Sequence, residues 1–140
     1  MKKQTWIFVI LIIVLFALSA NLWQKNTVLS NNMEVMCKSS INASREYFES
    51  FNTTKSESDY IAGVAEFRTY MTTYLCIADG VSDTDYTWCN ILYGDMILNP
   101  KKVKEHIPEL IEALEYLSED YDHPNGFNLI HALNNQLKEE

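Results

Sequence analysis

Thirteen apolar side chains in succession, Trp6 to Leu18, open a chain whose later hydrophobic positions are spaced instead of continuous. An uninterrupted run of this kind suits hydrocarbon, whereas spacing by three and four suits the faces of packed helices. Trp6 and Trp23 stand 17 residues apart. Along a helix that is ~25 Å, close to the ~30 Å of a bilayer's hydrocarbon core with an indole at each interface. The pattern predicts a transmembrane anchor over 6–23, flanked by Trp6 and Trp23. Ala17-Leu18-Ser19-Ala20 also suits a signal peptidase, so a cleaved leader and a secreted product form the alternative. No glycine or proline interrupts the chain from Trp6 to Ile61, and apolar residues continue at helical intervals beyond the run. Both features favour a retained anchor. Lys2 and Lys3 precede the segment and Lys25 alone follows it closely, which predicts a cytoplasmic N-terminus, 1–5, and an extracytoplasmic domain, 24–140, at the cell membrane.

Beyond the anchor, Leu29, Met33, Met36, Cys37, Ile41, Tyr47, Phe48 and Phe51 mark one face of a first helix. The polar stretch 52–58 reads as a turn, with Ser58 or Asp59 as N-cap of a second helix over 60–79. That helix offers Ile61, Val64, Phe67, Met71, Leu75 and Ala78 to the core and stops at Gly80. A third helix, capped by Ser82 or Asp83, presents Tyr86, Cys89, Tyr93, Met96 and Ile97 and closes at Asn99-Pro100. In the fourth, Val103, Ile107, Leu110, Leu114, Leu117 and Tyr121 form a regular seam. Pro108 predicts a break near His106, because a mid-helix proline loses a hydrogen bond and clashes with the preceding turn. Residues 118–126 read as a loop, and Phe127, Ile130, Leu133 and Leu137 give a short last helix. With no strand alternation or internal repeat, the expected fold is all-α: an N-terminal transmembrane helix continuing into a small antiparallel bundle of four to five helices.

Composition narrows what such a domain does. The chain has 140 residues and a formal net charge of −8, and without Lys2 and Lys3 it carries 9 cations against 19 anions. Nucleic acid, whose binding needs clustered cations, is excluded as an expected partner; the largest basic cluster, Lys101, Lys102 and Lys104, borders an acidic helix. Four Gly, three Pro and 47% hydrophobic residues argue against disorder.

Candidate chemistry is sparse. Cys76 and Cys89 straddle the turn between the second and third helices and form the candidate disulfide; the alternative keeps Cys37, Cys76 and Cys89 as buried thiols. Asp120, Asp122, His123, Asn125 and His131 resemble a hard-metal loop in composition only. Read as a calcium loop from Asp120, the sequence puts Asn125 where Gly belongs and His131 where a bidentate Glu belongs. Asp122 as a helix cap followed by Pro124 in the first turn explains the same residues. No HExxH, GxSxG, Walker A or GxGxxG pattern occurs, so no catalytic, metal or cofactor residue is predicted. Glu105, Glu109, Glu112, Glu115 and Glu119 fall mostly away from the fourth helix's seam and read as a solvated face. Among eight tyrosines, Tyr70 and Tyr116 lie off the apolar stripes and are the candidate interface aromatics.

The expectation is a membrane-anchored interaction domain that catalyses no reaction and works with a protein partner, as an accessory, regulatory or immunity-type protein at the cell envelope. Opposite charge would steer a basic partner to it. The alternatives are an extracytoplasmic small-molecule sensor, or a small secreted enzyme after leader cleavage.

Overall fold

The computed structural model describes residues 2–77 and 83–139, with side chains described over 12–77 and 84–139. The described residues form helices and short turns, without a strand: α1 Lys2–Thr54, α2 Glu57–Ile77, α3 Asp83–Leu98, α4 Pro100–Glu105, α5 Ile107–Glu119 and α6 Pro124–Glu139. The all-α architecture expected from the spacing is the one observed. The chain divides into two compact units, Met1–Asn32 and Met33–Glu140.

The first unit is the leading part of α1. Every side chain from Ile12 to Asn32 is exposed. Among the described residues, α1 is the one helix long and apolar enough to cross a membrane. Trp23 is 76% exposed, and the side chain of Trp6 lies outside the described residues.

In the second unit, α1 buries Cys37, Ile41, Ser44, Phe48 and Phe51, a stripe stepping by three and four, with Ser40 buried beside Ile41. Ser44 sits where α1 meets α2 and donates its hydroxyl to the Gly63 carbonyl at 2.9 Å. Lys55 ends α1 in a left-handed conformation, φ 59°, with its N–H on the Phe51 carbonyl at 2.8 Å. Helix termination commonly uses this conformation, although glycine is its usual occupant. The turn is thereby two residues long, against the seven expected, and α2 starts at Glu57. Asp59, one of the two expected caps, instead accepts from Ser50 Oγ at 2.7 Å and Thr54 Oγ1 at 3.2 Å, tying the two helices across the turn.

The core face of α2 is Tyr60, Gly63, Phe67, Tyr70, Met71 and Tyr74, while Ile61 and Leu75 face solvent. This corrects the expected stripe, which is rotated because the tyrosines find polar partners inside. Tyr60 donates to the Met96 carbonyl at 3.0 Å, Tyr70 to the Tyr121 carbonyl at 2.9 Å and Tyr74 to Asp122 Oδ1 at 2.6 Å. A buried hydroxyl with a partner costs little, and its ring contributes more apolar area than an isoleucine. The expected stop at Gly80, the core position Ala78 and the caps Ser82 and Asp83 lie outside the described side chains. In α3, Cys89, Leu92 and Met96 are buried and Ile97 is exposed.

The fourth expected helix divides where Pro108 requires. α4 ends at Glu105, His106 turns with φ −112° and its N–H on the Val103 carbonyl, and Pro108 occupies the first turn of α5. Val103, Ile107, Leu110, Ala113, Leu114 and Leu117 are wholly buried, and the five glutamates from Glu105 to Glu119 are exposed. α5 continues to Glu119, so the following loop is 120–123 instead of 118–126. His123 Nδ1 accepts the Asn125 N–H at 3.2 Å, the capping role expected of Asp122. α6 buries Phe127, Ile130, Leu133 and Leu137 as its spacing requires, and packs against α5 and α3; α3 also meets α2 and α4.

Two glycines separate packing from propensity. A Cβ on Gly126 would lie 2.5 Å from Leu117 Cγ and 3.1 Å from the Ala113 carbonyl oxygen, whereas one on Gly94 meets nothing within 4 Å. Gly94→Ala is therefore expected to raise stability by up to ~1 kcal/mol through helix propensity. Gly126→Ala is expected to lower it by ~1 to ~3 kcal/mol through overpacking. Denaturant titration of both variants checks the opposite signs.

Candidate functional site

The bundle's candidate site is a groove where the start of α2, the end of α3 and α4 converge. The groove encloses about 290 Å³. Ile61 and Val64 from α2, Met96 and Ile97 from α3, and Pro100 from α4 give it apolar walls; Glu57, Tyr60 and Lys104 complete the lining.

Local chain geometry places these residues. The Asn99 N–H reaches the Asp95 carbonyl at 2.8 Å and its side-chain amide reaches Asp95 Oδ1 at 2.8 Å, ending α3. Pro100 then opens α4 in its first turn. Met96 turns into the core, while Ile97 and Leu98, which cannot share that direction on a helix, are left in solvent. Ile61 is 65% exposed, Ile97 51% and Leu98 78%. Leu98 and Pro100 also border a second, shallower hollow with Lys101 and Lys102, so the apolar surface continues around the α3–α4 turn.

The polar groups of the groove are already engaged. Lys104 Nζ lies 2.6 Å from Glu57 Oε2 and 2.7 Å from Oε1, and 4.5 Å from the centre of the Tyr60 ring. The Tyr60 hydroxyl is committed to the Met96 carbonyl. Burial, followed by the nearby Glu57 carboxylate, pushes its pKa up, which keeps it a neutral donor. The lining offers no nucleophile beside a base and no pair of carboxyls across a cleft. Its chemical capacity is to exclude water from an incoming apolar side chain.

The sequence-predicted site residues fall elsewhere. Tyr70 is wholly buried, which corrects its expected exposure: it stacks on Tyr74 with ring centroids 5.8 Å apart and holds the 120–123 loop through Tyr121. Tyr116 is half-buried and packs on His123, centroids 5.1 Å apart. The expected Cys76–Cys89 disulfide is not formed. All three thiols are free, Cys76 exposed and Cys37 and Cys89 buried. Matching height along neighbouring helices left the direction around each axis unfixed, and Cys76 points outward. Burial, reinforced by the Glu34 carboxylate, pushes the Cys37 thiol up to about 12, and burial pushes that of Cys89 higher still. Neither has the thiolate character of a reactive cysteine. Among the described residues, no group of three or more His, Cys, Asp or Glu is placed to hold a metal ion.

Sequence reasoning missed Ile61, Ile97 and Leu98. For α3 a signal was present: three consecutive apolar residues, Met96 to Leu98, cannot all face one core from a helix. For Ile61 there was none, since Tyr60 and Ile61 compete for the same inward position. Comparison with protein-family models, with characterised proteins and with solved structures finds no match to this chain.

Proposed function

We propose that this chain is a single-pass membrane protein, N-terminus in the cytoplasm, whose extracytoplasmic helical bundle binds a partner protein through the α2–α3–α4 groove and catalyses no reaction. The observation that carries this reading is the exposed apolar surface of Ile61, Ile97 and Leu98, joined by the half-buried Pro100, around a groove whose polar groups are already paired. Soluble surfaces seldom leave such residues contiguous unless something covers them. A small-molecule sensor fits less well, because a ligand pocket needs free polar groups that converge on its occupant. The exposed apolar face of α1 and the basic residues before it support the anchor and its orientation.

A photoreactive amino acid at Ile97 of the full-length protein, activated in the native membrane, is expected to label one defined protein. Ile61→Glu should abolish that adduct, since loss of a buried interface anchor typically costs ~2 kcal/mol or more. Equal labelling from position 112, on the acidic face of α5, would remove the groove from consideration. Digestion of the bundle by protease added to whole cells checks the orientation.

A further inference from the structure

The first unit carries a pattern that a lone span does not require. Leu15, Leu22 and Leu29 follow one another at intervals of seven, and Leu18, Lys25 and Asn32 repeat the interval three residues later. All six side chains are exposed. Seven-residue spacing with this offset of three is the pattern by which a helix meets another helix along its whole length. On a straight helix such a stripe drifts only ~20° per repeat, so it holds one face over the ~25 Å between Leu15 and Asn32. Asn21, Gln24, Lys25, Val28, Leu29 and Asn32 border a shallow hollow on this side of the helix. Hollows between side chains are what the knobs of a facing helix fill.

We propose that α1 pairs in parallel and in register with α1 of a second copy of this chain, along Leu15, Leu18, Leu22, Lys25, Leu29 and Asn32. The proposal rests on α1 being retained in a bilayer, as argued above, and adds a specific occupant to its face. A bilayer holds Trp23 of every copy at one depth, so equivalent residues lie at equal heights and an unshifted contact is the natural one. Asn32 fits that register: across a two-fold axis its amide meets the same amide, which both donates and accepts, whereas a shift of one turn would set it against Leu29. A self-complementary asparagine in the seam of paired helices favours one register in this way. Lys25, two residues beyond Trp23, extends its stem along the seam and carries its ammonium out to the headgroup region. Leu15 and Leu18 contribute packing only, because lipid tails are as apolar as leucine. Leu22, just inside Trp23, likewise contributes packing, and the drive comes from Val28 and Leu29, which lie beyond Trp23 and leave water. Confinement of both copies to one membrane raises their effective concentration, so this short stretch can pair where the same helices free in solution would not.

The test uses the full-length chain in native membranes, with Cys76→Ser to remove the exposed thiol. Single cysteines are introduced in turn from position 20 to position 33 and oxidised, and covalent dimer is measured on non-reducing gels. Dimer yield is expected to peak at Leu22→Cys, Lys25→Cys, Leu29→Cys and Asn32→Cys. Yields there should be about tenfold above Trp23→Cys, Thr27→Cys and Ser30→Cys, since effective concentration falls steeply away from facing positions. Adding Leu22→Glu to the Asn32→Cys chain should reduce its dimer by a similar factor. A flat profile, or peaks on the side bearing Ala20 and Thr27, overturns the proposal. Carbonate extraction of the same samples separates the two readings: a chain that stays in the membrane without the periodic profile overturns the pairing alone, and a chain released to the aqueous phase overturns the anchor and the pairing together.

Discussion

Phe48→Ala is expected to lower the unfolding free energy by ~3 to ~5 kcal/mol, the range for emptying a large aromatic site in a packed interior. Phe48 is wholly buried, meets the Tyr60 ring edge-on with centroids 5.8 Å apart, and covers the one place where α2 presents a glycine to α1. A Cβ on Gly63 would stand 2.9 Å from Phe48 Cε1 and 3.0 Å from Cδ1 and Cζ. The ring is enclosed and cannot swing aside, and the Ser44 hydroxyl on the Gly63 carbonyl fixes the two helices at this distance. Gly63→Ala is therefore expected to cost ~1 to ~3 kcal/mol despite alanine's better helix propensity. The sharper expectation concerns the pair. With Phe48 already alanine, the added methyl meets a void, and Gly63→Ala should become neutral or stabilising. A coupling of ~1 to ~3 kcal/mol in the double-mutant cycle follows, measured by denaturant unfolding of the full chain in micelles. Additive costs would show that the ring and the glycine are not one fitted contact.

The same contact shows what the sequence makes legible. The α5 seam was readable because its apolar residues repeat without competition and its glutamates occupy the opposite side; Pro108 announced the break at His106 by covalent geometry alone. α2 was not readable to the same precision. Ile61 and Leu75 rank as more hydrophobic than its tyrosines, yet they are outside while Tyr60, Tyr70 and Tyr74 are inside. The deciding partners of those hydroxyls lie 36, 51 and 48 residues further along the chain. No window of sequence holds that information. The groove has the same character, since it joins three helices, and Ile61 becomes a surface residue only because Tyr60 has found Met96. The cysteine pairing failed for a related reason: rise along a helix can be counted, but rotation about it is set by the whole core.

Alkaline pH should unfold this bundle unusually readily, and the buried tyrosines and cysteines give the reason and the sign. Burial, ahead of the nearby acidic groups, raises the thiol of Cys37 from 9.0 to about 12 and raises Cys89 further; it also lifts Tyr60, Tyr70 and Tyr74 above the ordinary 10.0. For Tyr74 the hydrogen bond to Asp122 acts in the same direction, because the phenol must keep its proton to donate it. Each of these groups is neutral when protonated, so the folded state holds its proton more tightly than the unfolded chain does. Their contribution is whole below about pH 9, where the unfolded thiols remain protonated. It falls as the unfolded chain releases first its thiol and then, near pH 10, its phenol protons, and the loss continues upward until the folded groups ionise as well. Helical circular dichroism of the full chain is expected to show a melting temperature that is level from neutrality to about pH 9 and then drops with increasing slope. Phenolate absorbance from the buried tyrosines should rise together with the loss of helix instead of ahead of it. Combining Cys37→Ala with Cys89→Ala removes the two earliest contributions, so the decline should begin nearer pH 10 and with a shallower first limb. A melting temperature that stays level through that range, or phenolate that forms while the helices remain intact, would mean that these side chains are open to water and that the aromatic core joining α2 to the 120–123 loop is not closed.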